Sequence, residues 1–433
     1  MPTTTITKQF WQNVLPSMTA FAFTGIYSIV DGIFVGRSVG DVGLAAINIA
    51  YPITSLIQSM GTGIGMAGAI LIAISQGRKE KHTEKLYLGN TLLLLLLMSI
   101  AMMAAFSFLY LPVLTFFGAK GILYEHAAAY LKIIVMGTVF QMIATGLVPI
   151  IRNYNGAFFA MVSMVTGFIS NIFLDWLFVS KLSYGTSGAA LATVLSQGIT
   201  LLFCMIFFAC HKAILSGMSL RLTKKTFPTI FLTALSPFGL TFSPSIIIAI
   251  LNKGAIVYGD ELSVACYAVI SYVTCVLQLL FQGIGDGTQP LLGNYYGSGN
   301  NVALKKVLKL SYCFSLAVGF SGVALLFLLN NQMPYWFGTS PEVATLFQKV
   351  VPCFYVGLLF VSYLRITISY FYATEKNTFA SILIYGEPAL LAIFIAFIFP
   401  TFLGINGVWL SVPITQFLLM CLAIFFCKNY RLR

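Results

Sequence analysis

Charge is what this sequence has least of. Only 8% of its 433 residues are Asp, Glu, Lys or Arg, while 59% are hydrophobic. A soluble domain of this length needs many more charges to cover itself, so a water-soluble globular protein is excluded. Histidine is nearly as scarce: His82, His126 and His211 are the only three, and all fall in or near expected loops. No His-based metal cluster is visible, nor a nucleophile paired with a base, so an enzyme is not expected. The eight cysteines, among them Cys204, Cys266 and Cys353, show no ligand spacing and read as small buried hydrophobes. Short strands that alternate apolar with polar residues are also missing, which excludes an outer-membrane barrel.

What the chain does have is apolar runs of about 20 residues, each long enough to cross a bilayer as a helix. Reading them in order gives twelve spans, at 12–36, 43–75, 87–112, 128–151, 157–180, 185–210, 228–257, 262–296, 307–330, 346–372, 378–400 and 403–427. The expected fold class is therefore all-α, a polytopic membrane protein. The 24 basic residues outnumber the 12 acidic ones, giving a net charge of +12. That excess does not point to nucleic acid, because the cations collect at one set of span ends. Arg78, Lys79, Lys81 and Lys85 follow span 2; Lys212, Arg221, Lys224 and Lys225 follow span 6; Lys305, Lys306 and Lys309 follow span 8; Lys428, Arg431 and Arg433 follow span 12. The opposite loops are nearly neutral. By the positive-inside rule both termini are cytoplasmic, in a multi-pass protein of the cell membrane.

The two halves repeat. Gly63-Ile64-Gly65 recurs as Gly283-Ile284-Gly285, an offset of 283 − 63 = 220, which also carries Gly77 to Gly297, Lys85 to Lys305 and Gly137 to Gly357. Late in each half Gly185-x-x-Gly188 is answered by Gly404-x-x-Gly407 at an offset of 219. Each half holds six spans, an even number, so the halves enter the membrane in the same orientation and form a parallel repeat of the kind common in transporters. The expected organisation is an N-lobe of residues 1–211, a cytoplasmic linker of 212–227 and a C-lobe of 228–433.

Against this apolar background two acids stand out. Asp175 lies in the run from Val162 to Val179, and Asp31 lies in the first span. A carboxylate at such depth costs about 2.5–3.5 kcal/mol on insertion scales and is a functional-site hypothesis by default. Counting along the spans puts Asp31, Asn171, Asp175, Ala189 and Thr193 at one depth in the outer half of the first lobe. Asn171 and Asp175 are one turn apart, as are Ala189 and Thr193, so each pair shares a helix face. Carboxylate, amide, hydroxyl and backbone carbonyl are oxygen donors, suited to a hard cation such as Na+, and a buried acid pair could instead hold a proton. A purely structural pairing of Asp175 with Thr193 or Asn171 is the competing reading. The offset of 220 sends Asp31, Asn171 and Asp175 to Leu251, Leu391 and Ile395, so the second half does not copy the site.

These residues carry a resemblance. Pro16 and the stretch Val30-Asp31-Gly32-Ile33-Phe34-Val35-Gly36, Leu44-Ala45-Ala46 with Pro52, Asn171-x-x-x-Asp175, Gly188-Ala189-Ala190-Leu191-Ala192-Thr193 and Gln289-Pro290-Leu291-Leu292-Gly293-Asn294-Tyr295-Tyr296-Gly297 are similar in order and spacing to the multidrug and toxin extrusion (MATE) family, bacterial multidrug branch. The resemblance implies a secondary antiporter that exports organic cations or other amphipathic compounds in exchange for inward Na+ or H+. It also implies a cation site at Asp31, Asn171, Asp175, Ala189 and Thr193, and a bend in helix 1 at Pro16. Some members carry essential acids in helices 7 and 10, where this chain offers Asn252 and Arg365.

Beyond the coupling ion no cofactor is expected, and the partners are a small-molecule substrate and the bilayer, with the protein a monomer. Candidate substrate contacts are the polar residues at depth: Gln141, Gln278, Gln282, Asp286 and Gln289. Arg365 and Glu387, on neighbouring spans, read as an ion pair, and Arg152 as an interface anchor. The competing function on the same two-lobe plan is a flippase or exporter of a lipid-linked or other endogenous metabolite.

Overall fold

The computed structural model describes residues 3–220, 225–337 and 339–429, and the side chains of residues 3, 4, 28, 29, 31–33, 35–38, 40, 41 and 44 lie outside that description. Among the described residues every regular element is a helix. In chain order these are α1 (Thr3–Gly77), α2 (Lys81–Phe116), α3 (Gly121–Met136), α4 (Thr138–Asn153), α5 (Ala157–Asp175), α6 (Gly185–Cys210), the short α7 (Lys212–Leu215), α8 (Thr226–Tyr258), α9 (Glu261–Gly297), α10 (Asn301–Leu329), the short α11 (Met333–Trp336), α12 (Pro341–Ala373), α13 (Asn377–Ile393), α14 (Phe399–Leu403) and α15 (Ile405–Asn429). Ten described helices are long and apolar enough to cross a membrane, or eleven with α3 and α4 taken as one bent span. The first expected span, 12–36, runs partly through the side chains outside the description.

Several helix starts follow from local hydrogen bonding. The first amides of a helix have no partner inside it. At α9 the Ser263 N–H and hydroxyl donate to Asp260 Oδ1 at 2.8 and 2.7 Å. At α10 the Ala303 N–H donates to the side chain of Asn300 at 3.0 Å, and at α12 Ser340 caps Val343 ahead of Pro341. Asn, Asp and Ser in these places satisfy orphan donors, and Pro at the first helical position gives up an N–H that had no partner.

Three features depart from the spans as read in sequence. The turn expected near residues 37–42 does not interrupt the backbone, which is helical throughout α1. Gly36-Arg37-Ser38-Val39-Gly40-Asp41 contains no proline, so nothing in it forbids helical dihedrals. Straight, 75 residues would extend about 110 Å, more than three times a hydrocarbon core; the part Ala45–Gly77 suffices for one crossing. The expected fourth span is two helices, α3 and α4, bent by 57° at Gly137. Spans 5 and 11 end in π-helical turns, Trp176–Lys181 after α5 and Phe394–Ile398 after α13.

The repeat is visible in the backbone itself. Six of the ten described left-handed residues fall into three pairs: Lys79 (φ 60°) with Gly299 (φ 67°), Asn155 (φ 59°) with Glu375 (φ 60°), and Gly185 (φ 59°) with Gly404 (φ 55°). The first two pairs keep the offset of 220 and the third keeps 219, as the glycine motifs do. Both π turns precede the third pair. The second glycine of each motif permits a close approach. A Cβ on Gly188 would lie 3.0 Å from the Phe178 carbonyl, and one on Gly407 only 2.4 Å from the carbonyl carbon of Phe399. Backbone cannot yield as a side chain can, so Gly407→Ala is expected to destabilise the protein by about 1–3 kcal/mol. Gly188→Ala should cost less, and the melting temperatures of the two variants compare them directly.

Contacts divide the chain into two compact units. One comprises residues 15–241 with 297–299, and the other comprises 1–14, 242–296 and 300–433. The division falls inside α8, and the first fourteen residues pack with the second half. Each unit has its own apolar core. In the first, Ile53, Ile57, Leu131, Ile134, Ala189 and Ala190 belong to one buried cluster. In the second, Leu251, Phe347, Val351, Leu391, Ile395 and Trp409 do.

Candidate functional site

In the unit of residues 15–241, α5 and α6 bring four of the expected site residues together. Asp175 ends α5 and is 0% exposed, and Asn171, one turn earlier, is 1% exposed. Facing them on α6 are buried Ala189 and half-buried Thr193. The Asn171 amide lies between the two helices. With its nitrogen toward the carboxylate, it donates to Asp175 Oδ2 at 2.8 Å, and its oxygen accepts from the Thr193 N–H at 3.2 Å. The Thr193 hydroxyl donates to the Ala189 carbonyl at 3.0 Å.

One polar chain thus runs from Asp175 through Asn171 to Thr193 and Ala189. The carboxylate, the Asn171 amide oxygen, the Thr193 hydroxyl and the Ala189 carbonyl are its oxygen donors to a guest. A buried carboxylate with amide, hydroxyl and carbonyl oxygens nearby has the donor chemistry of a hard monovalent cation site or a proton site, and Asp175 supplies the charge either one needs. Among the described residues no group of three His, Cys, Asp or Glu side chains is placed to hold a metal ion. Asp31, the fifth expected member, lies outside the described side chains.

The corresponding place in the other unit is filled with hydrocarbon. The repeat maps Asp31, Asn171 and Asp175 to Leu251, Leu391 and Ile395 at an offset of 220, and Ala189 and Thr193 to Val408 and Val412 at 219. All five of these counterparts belong to a single buried apolar cluster. All five are buried.

The remaining expected residues are dispersed. Pro16 is half-buried within α1, whose helix continues through it. Gln141 is buried one turn after the break at Gly137, where its N–H donates to the Gly137 carbonyl at 3.1 Å. Gln278, Gln282, Asp286 and Gln289 belong to the other unit. They recur at helical spacing along one side of α9, the first two half-buried and the last two buried. Asp286 has a structural partner that hydropathy could not reveal: the Tyr372 hydroxyl of α12 donates to Asp286 Oδ1 at 3.3 Å. Arg152, read from sequence as an interface anchor, lies in the last turn of α4 and packs inside the protein. It is buried at 4% exposure, with its Nη2 3.7 Å from Met164 Sδ and its guanidinium 5.7 Å from the centre of the Phe21 ring. Its aliphatic stem and flat head suit such a pocket, which a charge count along the sequence does not show.

The fold and the one-sided polar chain define a helical membrane transporter of duplicated architecture. The MatE family model matches the chain twice, over residues 16–177 and 241–398, once in each half. The chain belongs to the MatE family of membrane transporters. Among its relatives, the multidrug export protein MepA of Staphylococcus haemolyticus (strain JCSC1435) is 23% identical over 97% of this chain and 92% of its own length. The probable multidrug resistance protein YoeA of Bacillus subtilis (strain 168) is 22% identical over 78% of this chain and 75% of its own. Among solved structures, the crystal structure of MATE in complex with MaL6 matches with a TM-score of 0.90 at 23% identity, covering 98% of this chain and 96% of that one.

Proposed function

We propose that this protein is a secondary antiporter of the cell membrane, exporting organic cations or amphipathic drugs in exchange for inward Na+ or H+. The observation that carries the reading is the asymmetry between the halves: a buried carboxylate that accepts from an amide bridging to the next helix in one, and buried apolar side chains at the counterpart positions in the other. A carboxylate kept only for packing has no reason to sit in one copy of a duplicated fold. An ion site that biases a conformational cycle is needed once. Asp31 is grouped with Asn171, Asp175, Ala189 and Thr193 as the residues that hold the coupling ion because all five fall at one depth along their spans. The drug class rests on the relatives, which are multidrug exporters.

In this reading the lobes of residues 1–211 and 228–433, joined by a cytoplasmic linker at 212–227, alternate access to a path lined by Gln141, Gln278, Gln282, Asp286 and Gln289. The ion shifts the balance between the two states only by its different affinity for each. Pro16 deprives α1 of one backbone hydrogen bond and so gives it a place to bend. The protein acts as a monomer with both termini in the cytoplasm.

The test is efflux of a fluorescent organic cation from proteoliposomes, with either a Na+ or a proton gradient imposed and the other ion held equal. One of the two gradients is expected to drive efflux above the level without a gradient. Equal rates under all three conditions would sink the antiport reading.

A further inference from the structure

The segment that joins α6 to α8 is polar and contains a glycine, Gly217, and such a connection is by default a mobile tether. In this protein it is seated on α2, within the unit of residues 15–241. It begins with the short helix α7, whose carbonyls have no continuing helix to satisfy them. Local amides take two of them: Ser216 donates to the Lys212 carbonyl at 3.1 Å and Met218 to that of Leu215 at 3.2 Å. The other two, Ala213 at 2.6 Å and Ile214, accept from the ammonium of Lys85 on α2. Ile214 and Leu215 pack against the apolar cluster that includes Leu88, Ile151, Phe207 and Phe208.

One turn further along α2 the linker crosses Gly89, where a Cβ would lie 2.2 Å from the Ser219 carbonyl oxygen. The next residue, Asn90, is 0% exposed. Its amide donates to the Ser219 carbonyl at 3.5 Å, and its oxygen accepts from the hydroxyl of Thr226, the first residue of α8, at 3.4 Å. From there Ile230 and Ala234 share a buried cluster with Leu71, Leu94 and Leu95, so the first part of α8 belongs to the same unit. The offset of 220 sends Lys85, Gly89 and Asn90 to Lys305, Lys309 and Leu310 of α10. The lysine recurs, but the glycine and asparagine are found only in the half from which the linker departs. A lysine at the place of Gly89 would obstruct the crossing.

We propose that the linker is a docked strap: Lys85, Gly89 and Asn90 hold residues 212–219 and the start of α8 on the first half, so that all of these move as one body. Three different contacts carry it, a cation that meets two orphan carbonyls, a glycine that lets two backbones touch, and a buried amide that meets the chain at Ser219 and again at Thr226. Ordering a polar segment costs chain entropy, which burial of Ile214 and Leu215 helps to offset. The strap therefore determines which body α8 starts from. The passage from one unit to the other is made within α8 and not by the linker. This inference does not depend on the antiport reading.

The experiment is hydrogen–deuterium exchange of the purified full-length protein in detergent, read by mass spectrometry on peptides covering residues 211–220. The amides of Ile214, Ser216 and Met218 are hydrogen-bonded locally. In wild type they are expected to exchange at least about 100-fold more slowly than in a synthetic peptide of the same segment. Lys85→Met keeps the aliphatic stem and removes the donors. It should speed this exchange about 10- to 100-fold while the melting temperature stays within a few degrees of wild type. Lys85→Arg, which retains donors, should stay close to wild type. Gly89→Ala displaces Ser219 and should loosen the same peptides, whereas Lys305→Met, at the counterpart position, should leave them unchanged. Wild-type exchange as fast as that of the free peptide would overturn the proposal, and this comparison needs no variant to fold. So would wild-type protection in both Lys85→Met and Gly89→Ala, or equal loosening by Lys305→Met. None of these readouts requires transport, so they succeed or fail separately from the gradient assay.

Discussion

Asp175→Asn should abolish the dependence of export on the ion gradient while leaving the fold intact. The substitution is nearly isosteric, and the new amide can turn its oxygen toward Asn171, so the 2.8 Å hydrogen bond from that side chain has a ready acceptor. What disappears is the negative charge. The oxygens left between α5 and α6 are all neutral, and with Asp31 as the one carboxylate remaining in the proposed site, its attraction for Na+ or a proton is much weaker. Coupling free energies in proteins are typically about 1–3 kcal/mol, or roughly 5- to 150-fold, and loss of most of that range is expected in gradient-driven efflux. Exchange down the drug's own gradient should persist. A second readout does not depend on transport. A ligand at a hundred times its dissociation constant stabilises the native state by about 2.7 kcal/mol. Wild-type melting temperature should therefore rise with the coupling ion, whereas that of Asp175→Asn should be flat. Asp175→Ala is a useful contrast, since it leaves the Asn171 amide without its acceptor and should cost about 1–3 kcal/mol regardless of ion. Wild-type coupling together with a wild-type ion response in Asp175→Asn would show that Asp175 is a structural acid.

Much of this architecture is legible in the sequence because bilayer physics writes it there. Apolar length fixes the spans, and the ends read for α6, 185–210, coincide with Gly185–Cys210. The parallel repeat is legible because glycine is favoured where the backbone turns left-handed or two segments nearly touch, as at Gly185 and Gly404 with their positive φ, whereas the left-handed pair Asn155 and Glu375 carries no glycine and leaves no such mark. The pairing of Asn171 with Asp175 follows from helical spacing. Other features leave no such mark. A hydropathy window reports how long a run is and nothing about its axis, so the 57° bend at Gly137 reads as an ordinary glycine, and the counterpart Gly357 lies in the uninterrupted helix α12. The π turns at Trp176–Lys181 and Phe394–Ile398 contain no proline, and the second contains no polar residue either. The π turn directly after Asp175 invites a functional reading, because such turns often mark functional sites. Its recurrence at Ile395, where there is no acid, assigns it to the fold instead. The partners of Asp286 and Glu387, Tyr372 and Gln416, are 86 and 29 residues away along the chain and emerge only once the helices are packed.

If the two halves share geometry and differ only in what fills it, the site should be transferable in part. Ile395 is the counterpart of Asp175 and sits in one apolar cluster with Leu251, Leu391, Val408 and Val412. Ile395→Asp alone should be among the most damaging single changes in the chain. It removes buried hydrocarbon and leaves a carboxylate among leucine and valine side chains, with no amide or hydroxyl from those neighbours to meet it. A buried polar group without a partner and the loss of core packing together cost on the order of 4 kcal/mol or more, or roughly 8–16 °C in melting temperature for a unit of this size. Restoring the rest of the polar chain changes the balance. Leu391→Asn supplies the amide one turn earlier, and Val412→Thr supplies the hydroxyl from α15 in the place Thr193 takes on α6. The triple variant is expected to recover several degrees over Ile395→Asp, because the amide can again bridge the carboxylate and the neighbouring helix. Full recovery is not expected, since Leu251 remains where the first half has Asp31. Replacing Leu251 with Asp in that background adds a second acid, and the melting temperature should then begin to respond to the same ion that stabilises the wild type. A triple variant as unstable as Ile395→Asp would mean that the counterpart positions share a sequence register but not a site geometry.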